Sequence, residues 1–421
     1  MSRLSKELSL LQGVGLLTTS LLGTGIFIVP AVAATLAGRA SLWAWLLLIL
    51  LVLPIAFTFA QLGKRFPHAG GAPSLIGRAF GGRMERSSAF LFLAAIPVGL
   101  PAALKMASGF WHALLTLDVT QELLIQLATL GLIYLLGQRP ARASGRVQTI
   151  IALVIIATVA TIWWGAGSSG VQLPVPNLND LNWNAMPAAL AVMFWCFVGI
   201  EAFTHMGEEF RNPQRDFLPA LLIGVLLAGL VYWSFSAAVL GFGVYGDERT
   251  DVSSLPLLIG QLWGERISGV AALVGYLACF ASINIYLQGF ARLVWSLADE
   301  GKLPQPLAAR NAHGVPARAL TLVIVACALF TILAWWQSIP IAELIQYANG
   351  NFVLVYLFSM AAGWVLLPGL WRWTAAVGTL LCALTLLTLG LQMFYALGLL
   401  ILFLLLGRLG RFLPRGELRQ S

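Results

Sequence analysis

Apolar runs of about 18 to 28 residues dominate the chain, and few structures can accommodate them. A helix rising about 1.5 Å per residue needs roughly 20 residues to cross about 30 Å of hydrocarbon, whereas a membrane-barrel strand needs only about 9–11. Hydrocarbon offers the backbone no partners, so each run must satisfy its own amides and carbonyls as a helix. Twelve runs are readable, at about 10–36, 41–62, 88–115, 121–137, 147–166, 185–206, 217–242, 267–298, 318–337, 342–364, 371–389 and 391–408. Only Gly390 divides the last two. Composition agrees, with 59% hydrophobic and 10% charged residues against roughly 25% charged in a soluble domain. The expected fold class is an all-α membrane protein with twelve transmembrane helices in a single polytopic domain.

Orientation follows from the basic residues, because cytoplasmic loops are enriched in Lys and Arg. With the amino terminus inside, one set of loops and helix ends holds Arg3, Lys6, Lys64, Arg65, Arg78, Arg83, Arg86, Arg139, Arg142, Arg146, Arg211 and Arg215. The same set continues with Arg292, Lys302, Arg310, Arg318, Arg372, Arg408, Arg411, Arg415 and Arg419. The opposite set holds only Arg39, Arg249 and Arg266, and Lys105 lies within a run. Both termini are therefore expected in the cytoplasm. Residues 3–33 have some features of a secretory leader, but their apolar stretch exceeds a usual signal core and reads as a retained first span.

Several function classes fit poorly. The net charge of +8 is spread over loops without a basic and aromatic cluster, so lipid headgroups explain it better than nucleic acid. His68, His112, His205 and His313 form no pair at ligand spacing, and no metal site, cofactor or enzyme is expected. Cys196, Cys279, Cys327 and Cys382 all fall within runs, where packing is the ordinary role of a thiol. No ligand-binding domain or filter motif of a receptor or channel is readable. Monomer and homodimer are both compatible with the sequence.

Two runs are interrupted. The first contains Gly23-Thr24-Gly25, followed by Ile26-Phe27 and Pro30, and the sixth contains Phe194-Trp195-Cys196-Phe197-Val198-Gly199-Ile200-Glu201. Paired breaks in two halves of a membrane protein point to a transporter's binding site, because backbone freed from a helix can hold a charged solute. Glycine tolerates unwound backbone, and amides at a half-helix start receive a carboxylate well. Small residues also serve close helix packing, so Gly-Thr-Gly alone leaves both readings open. Glu201 is the sharper feature. A carboxyl at mid-span must face a cavity, pair with a cation or hold a proton, which makes it a candidate proton carrier or a hydrogen-bonded brace of the break. His205, one turn further on, reads as a solvated helix end. Lys105 lies roughly two-thirds of the way toward the outside, where it can snorkel to water. Its alternative role is a cavity-facing cation that pairs with Glu201 or substitutes for a coupling ion.

Three segments then resemble one family. Glu209-Phe210-Arg211-Asn212-Pro213-Gln214-Arg215-Asp216-Phe217-Leu218-Pro219 is similar to the loop after the sixth span in the amino acid-polyamine-organocation superfamily. Gly23-Thr24-Gly25-Ile26-Phe27 resembles its first-span motif, and Ala291-Arg292-Leu293 through Leu303-Pro304 resembles its segment after the eighth span. Ala291 replaces a usual serine, and Asp299-Glu300 replaces a basic and acidic pair. Cys279-Phe280-Ala281-Ser282 and Tyr347-Ala348-Asn349-Gly350 read much like the superfamily's methionine and branched-chain amino acid exporters.

The resemblance implies two inverted five-helix repeats, at about 10–166 and 185–364, with extra helices at about 371–408. It implies a zwitterionic amino acid whose carboxylate lies on the amides of Gly23, Thr24, Gly25 and Ile26 and whose ammonium lies on carbonyls near Trp195, Cys196 and Val198. Asn284, Tyr286 and Asn349 are candidate side-chain contacts, although such residues also serve interhelical packing. Trp195 would gate and Glu201 would respond to protons. The implied protein is a proton-coupled, alternating-access transporter of neutral apolar amino acids in the bacterial inner membrane, working in efflux, with an importer or amine exchanger as the alternative.

Overall fold

A computed structural model describes residues 9–66, 71–138, 145–203 and 210–409. Arg3, Lys6, His68, Arg139, Arg142, His205, Glu209, Arg411, Arg415 and Arg419 from the sequence reading lie outside these residues. The described chain is helical throughout, without an extended strand.

The helices in chain order are α1 Leu10–Leu22, α2 Val29–Ala37, α3 Ala40–Arg65, α4 Gly71–Phe80, α5 Gly82–Leu93 and α6 Ile96–Gly109. Then come α7 Val119–Gly137, α8 Gly145–Ser169, α9 Met186–Met193, α10 Ile200–Phe203, α11 Pro213–Phe242 and α12 Glu248–Val252. The last are α13 Ser254–Trp263, α14 Glu265–Asp299, α15 Ala317–Trp336, α16 Ile341–Leu366, α17 Leu370–Thr388 and α18 Met393–Leu409. Among the described residues nine helical segments are long and apolar enough to cross a membrane. Leu10–Leu22, Met186–Phe197 and Gly390–Leu406 are shorter apolar pieces, the first two because each stops at a break.

Local chemistry sets many boundaries. Ser9 and Gln12 form a reciprocal capping box that starts α1, and Asp118 with Gln121 does the same for α7; each satisfies amides that a helix start leaves free. Pro213 opens α11 at a position where its missing N–H costs nothing. The Asn212 carbonyl accepts the Asp216 amide at 2.9 Å, so the Asn-Pro of the loop motif is a helix start. Gly390, at φ +59°, separates α17 from α18 as the sequence suggested.

The third run departs from expectation. It is two helices, α5 and α6, interrupted at Ala94 and Ala95. Pro97 cannot donate to the carbonyl one turn back, and Asn351 of α16 donates its side-chain amide to the Ala94 carbonyl at 2.9 Å. Pro54 and Pro101 lie inside continuous helices, so proline alone does not locate a break. The sequence reading also passed over α4, α12 and α13, which are too short to span.

Packing places the broken helices at the centre. α1 lies against α8 and α11, α2 against α9 and α11, and α16 against α3, α6 and α17. Large apolar side chains such as Leu124, Leu135, Trp164, Leu329, Leu380 and Leu387 are exposed on the periphery. In a chain of this composition that surface faces lipid, where exposed leucine costs nothing. Thr24, Glu201 and Asn349 are buried inside instead.

Candidate functional site

The first break runs from Gly23 to Ile28 between α1 and α2. Gly23 sits at φ +20°, and a β-carbon there would stand 2.8 Å from the Ser282 hydroxyl of α14. Gly25 is tighter. Its β-carbon would meet the Tyr232 hydroxyl at 2.9 Å, the Cys196 sulfur at 3.1 Å and the Trp195 ring at 3.3 Å. Gly25 therefore lets the first break approach the second, a role that excludes any side chain.

Donors from neighbouring helices occupy the carbonyls of this break. Tyr232 of α11 donates to the Leu21 carbonyl at 2.8 Å, and Ser254 of α13 donates to the Phe27 carbonyl at 2.5 Å. Helix ends leave such carbonyls orphaned, and a buried orphan costs about 1–3 kcal/mol. The Gly23 amide is bound to the Thr19 carbonyl and the Ile26 amide to the Leu22 carbonyl, each at 3.0 Å, which removes both from the amide group expected to receive a carboxylate. No backbone acceptor is seen for the Thr24 and Gly25 amides among the described residues.

The second break follows α9 as a single 3-10 turn, Phe194–Phe197, and then turns at Val198 and Gly199 into α10. Gly199, at φ +117°, adopts a backbone that an L side chain rarely accepts. Glu201 closes back over this turn, with its carboxylate accepting the Gly199 amide at 2.9 Å and a short hydrogen bond from the Tyr356 hydroxyl of α16. The carboxyl is 3% exposed. It thus braces the break, one of the two roles the sequence left open.

Other predicted residues separate into groups. Trp195 and Thr24 meet, with the indole Nε1 donating to the Thr24 hydroxyl at 3.3 Å. Tyr286 of α14 donates to the Val198 carbonyl at 3.4 Å. Asn349 of α16 donates to the Ala191 carbonyl at 2.7 Å, which steadies the end of α9, while its Oδ1 is buried without a partner. Asn284 likewise has a buried, unpartnered Oδ1. Lys105 is not part of this group. Its ammonium pairs with Glu248 at 2.7 Å and donates to the Ile339 carbonyl at 2.9 Å, so its partners are on α12 and before α16 rather than Glu201. All four cysteines are buried and free.

Tyr232 and Tyr356 are the residues at the two breaks that sequence reasoning missed. Each is a tyrosine in an apolar span, fully buried, and a buried hydroxyl demands a partner. That demand was legible, but the identity of the partner was not.

The amino acid permease family matches residues 8–407, nearly the whole chain. The chain is an amino acid permease. The permease is 49% identical over 397 residues to the L-methionine/branched-chain amino acid exporter YjeH of Escherichia coli K12, covering 94% of this chain and 95% of that one. It is 28% identical to the uncharacterized amino acid permease YecA of Bacillus subtilis 168, with 86% of each chain covered. It is also 22% identical to the cadaverine/lysine antiporter of Escherichia coli K12, over 78% of this chain and 75% of that protein. Family membership makes the permease a multi-pass membrane transporter of the amino acid-polyamine-organocation superfamily, consistent with its membrane-length helices.

Proposed function

We propose that this permease exports neutral apolar L-amino acids, methionine and the branched-chain residues, by proton-coupled alternating access across the bacterial inner membrane. The observation that carries the reading is the meeting of the two breaks, where Trp195 donates to Thr24 and Gly25 leaves no space for a side chain. The carboxylate of a substrate lies on the Thr24 and Gly25 amides, where the start of α2 adds a favourable dipole. Its ammonium lies among the carbonyls of residues 195–198, sharing those of Trp195, Phe197 and Val198 with the Val198 amide and the Tyr356 and Tyr286 hydroxyls that already donate to them. Trp195 covers the substrate and must leave Thr24 for the site to open. Glu201 takes and releases the proton, and the Tyr356 contact ties its state to α16.

The identity to the exporter supports the substrate class and direction. The more distant antiporter supports the runner-up, exchange of an amino acid for an amine. The proposed architecture has twelve spans in two inverted five-helix repeats, with α1–α2 and α9–α10 as the equivalent broken members. The alternation of basic loops supports termini in the cytoplasm. Protein reconstituted into liposomes with a pH gradient tests all of this. Saturable, proton-dependent flux of methionine and leucine with counterflow is the expected result. Flux of cadaverine or lysine in place of these would establish the exchanger, and no flux of any amino acid would refute the transport reading.

A further inference from the structure

A cavity of about 590 Å³ opens on the periphery, between the end of α3 and the corner where α16 turns into α17. Its walls are mostly apolar. Phe57 and Trp371 stand with ring centroids 6.4 Å apart and planes inclined by 29°, and Leu370 beside them is 81% exposed. One rim carries the Arg65 side chain, the last residue of α3, which is exposed. No carboxylate within ion-pair distance of Arg65 is seen among the described residues. Its neighbours are engaged: Lys64 donates to the Gln214 carbonyl, Arg78 lies over Phe66 and Arg372 lies over Trp364 at 4.3 Å.

We propose that this groove binds one anionic phospholipid, with its phosphate on the Arg65 guanidinium and the upper part of an acyl chain along Phe57, Trp371 and Leu370. The surrounding medium supplies the occupant. A transmembrane protein's outer groove is filled by lipid, and the end that carries the basic residues lies at headgroup depth. Guanidinium binds phosphate through two parallel N–H donors, and its planar charge is weakly hydrated, so it suits a partly apolar rim. A zwitterionic headgroup brings its own cation to the same rim and loses that advantage. The Thr374 hydroxyl, also on the lining, is already donated to the Trp371 carbonyl at 2.8 Å, which leaves Arg65 as the element that discriminates headgroups.

The groove lies behind the second break. Phe57 faces it, while Phe59, two residues on and therefore on another side of α3, is fully buried edge-on to Tyr356 at 5.1 Å. Lipid that holds α3 against α17 also holds the wall on which the Tyr356 contact to Glu201 rests. This site is separate from the amino acid path and does not depend on which solute the permease carries.

Native mass spectrometry of the purified protein, loaded with equal amounts of dioleoyl phosphatidylglycerol and dioleoyl phosphatidylcholine, reads the preference directly. The wild type is expected to retain the anionic lipid by about fivefold, the ratio set by one basic contact at the membrane surface. Arg65→Gln brings the ratio to about one, Arg65→Lys keeps most of it, and Arg310→Gln, whose guanidinium lies over Trp295 at 4.1 Å, leaves it unchanged. Thermal stabilisation of the wild type by the anionic lipid, with none from soluble glycerol phosphate, completes the expected result. Equal retention of the two lipids by the wild type overturns the proposal, as does a preference that survives in Arg65→Gln or equal stabilisation by glycerol phosphate.

Discussion

The two breaks share one device, hydroxyls of neighbouring helices on their carbonyls, and differ in how their amides are treated. At the first, neighbouring helices donate to carbonyls: Tyr232 to Leu21 and Ser254 to Phe27. What remains there is N–H character. At the second, Tyr286 and Tyr356 likewise donate to the Val198 and Phe197 carbonyls, and the chain's own carboxylate also occupies an amide, Gly199. In the proposed binding scheme the substrate carboxylate meets amides without a backbone acceptor at the first break, whereas its ammonium shares carbonyls that already accept at the second. The lesson is that a broken membrane helix is characterised less by its glycines than by which backbone groups its surroundings leave unused.

The largest effect should come from filling the contact between the breaks. Gly25→Val forces a side chain into the space held by the Tyr232 hydroxyl, the Cys196 sulfur and Trp195. It should abolish methionine and leucine binding, read as loss of ligand-induced thermal stabilisation, and should also lower the stability of the unliganded protein. Wild-type affinity in this variant would break the comparison at its first member. Glu201→Gln should have the next largest effect. The amide oxygen can still accept from Gly199, so the turn persists, but a proton can no longer be taken up. Export should fall by about tenfold or more and lose its pH dependence, as one essential proton-transfer group contributes about 10²–10⁴-fold where transfer limits the rate. An unchanged pH profile in proteoliposomes would remove the proton role from the second break and leave only its bracing role.

The smallest effect concerns Asp251, on the short helix α12 outside the membrane-spanning segments. It accepts from Thr35 of α2 at 2.7 Å and from the Gly246 amide at 3.2 Å, so it ties the last turn of α2 to the loop before α12. Burial pushes its carboxyl up to about 6, against the opposing pull of the Thr35 and Gly246 donors. The folded protein therefore holds the proton more tightly than the unfolded chain, and this stability is lost as pH rises from the ordinary carboxylate range through about 6. Asp251→Asn should flatten the fall of thermal midpoint over that window by a few degrees. A wild-type slope in the variant would show that the outer tie of α2 does not titrate there.

The sequence exposed the breaks because their chemistry is local. Gly23-Thr24-Gly25 weakens a helix wherever it stands, Gly199 beside the mid-span carboxyl of Glu201 marks the second run, and the structure interrupts both runs there. The interruption at Ala94 and Ala95 was hidden for the opposite reason. Alanine is the best helix former, and the local sign, Pro97, does not stand out beside Pro54 and Pro101, which their helices absorb. What completes that break is Asn351, more than 250 positions away. Site residues followed the same rule. Trp195 and Thr24 were both singled out, but their contact was not, and Lys105 could be placed only once its partner Glu248 was known. Intrinsic backbone weakness was legible, whereas pairings between distant helices were not.

Cys196 has a practical consequence. Its sulfur is buried beside Gly25, at the line where the two breaks touch. Under the proposed alternating access a water-soluble thiol reagent would reach it only while that line is parted, so its labelling rate would time the parting without any introduced probe. The permease would then carry its own chemical stopwatch at the contact between the two breaks.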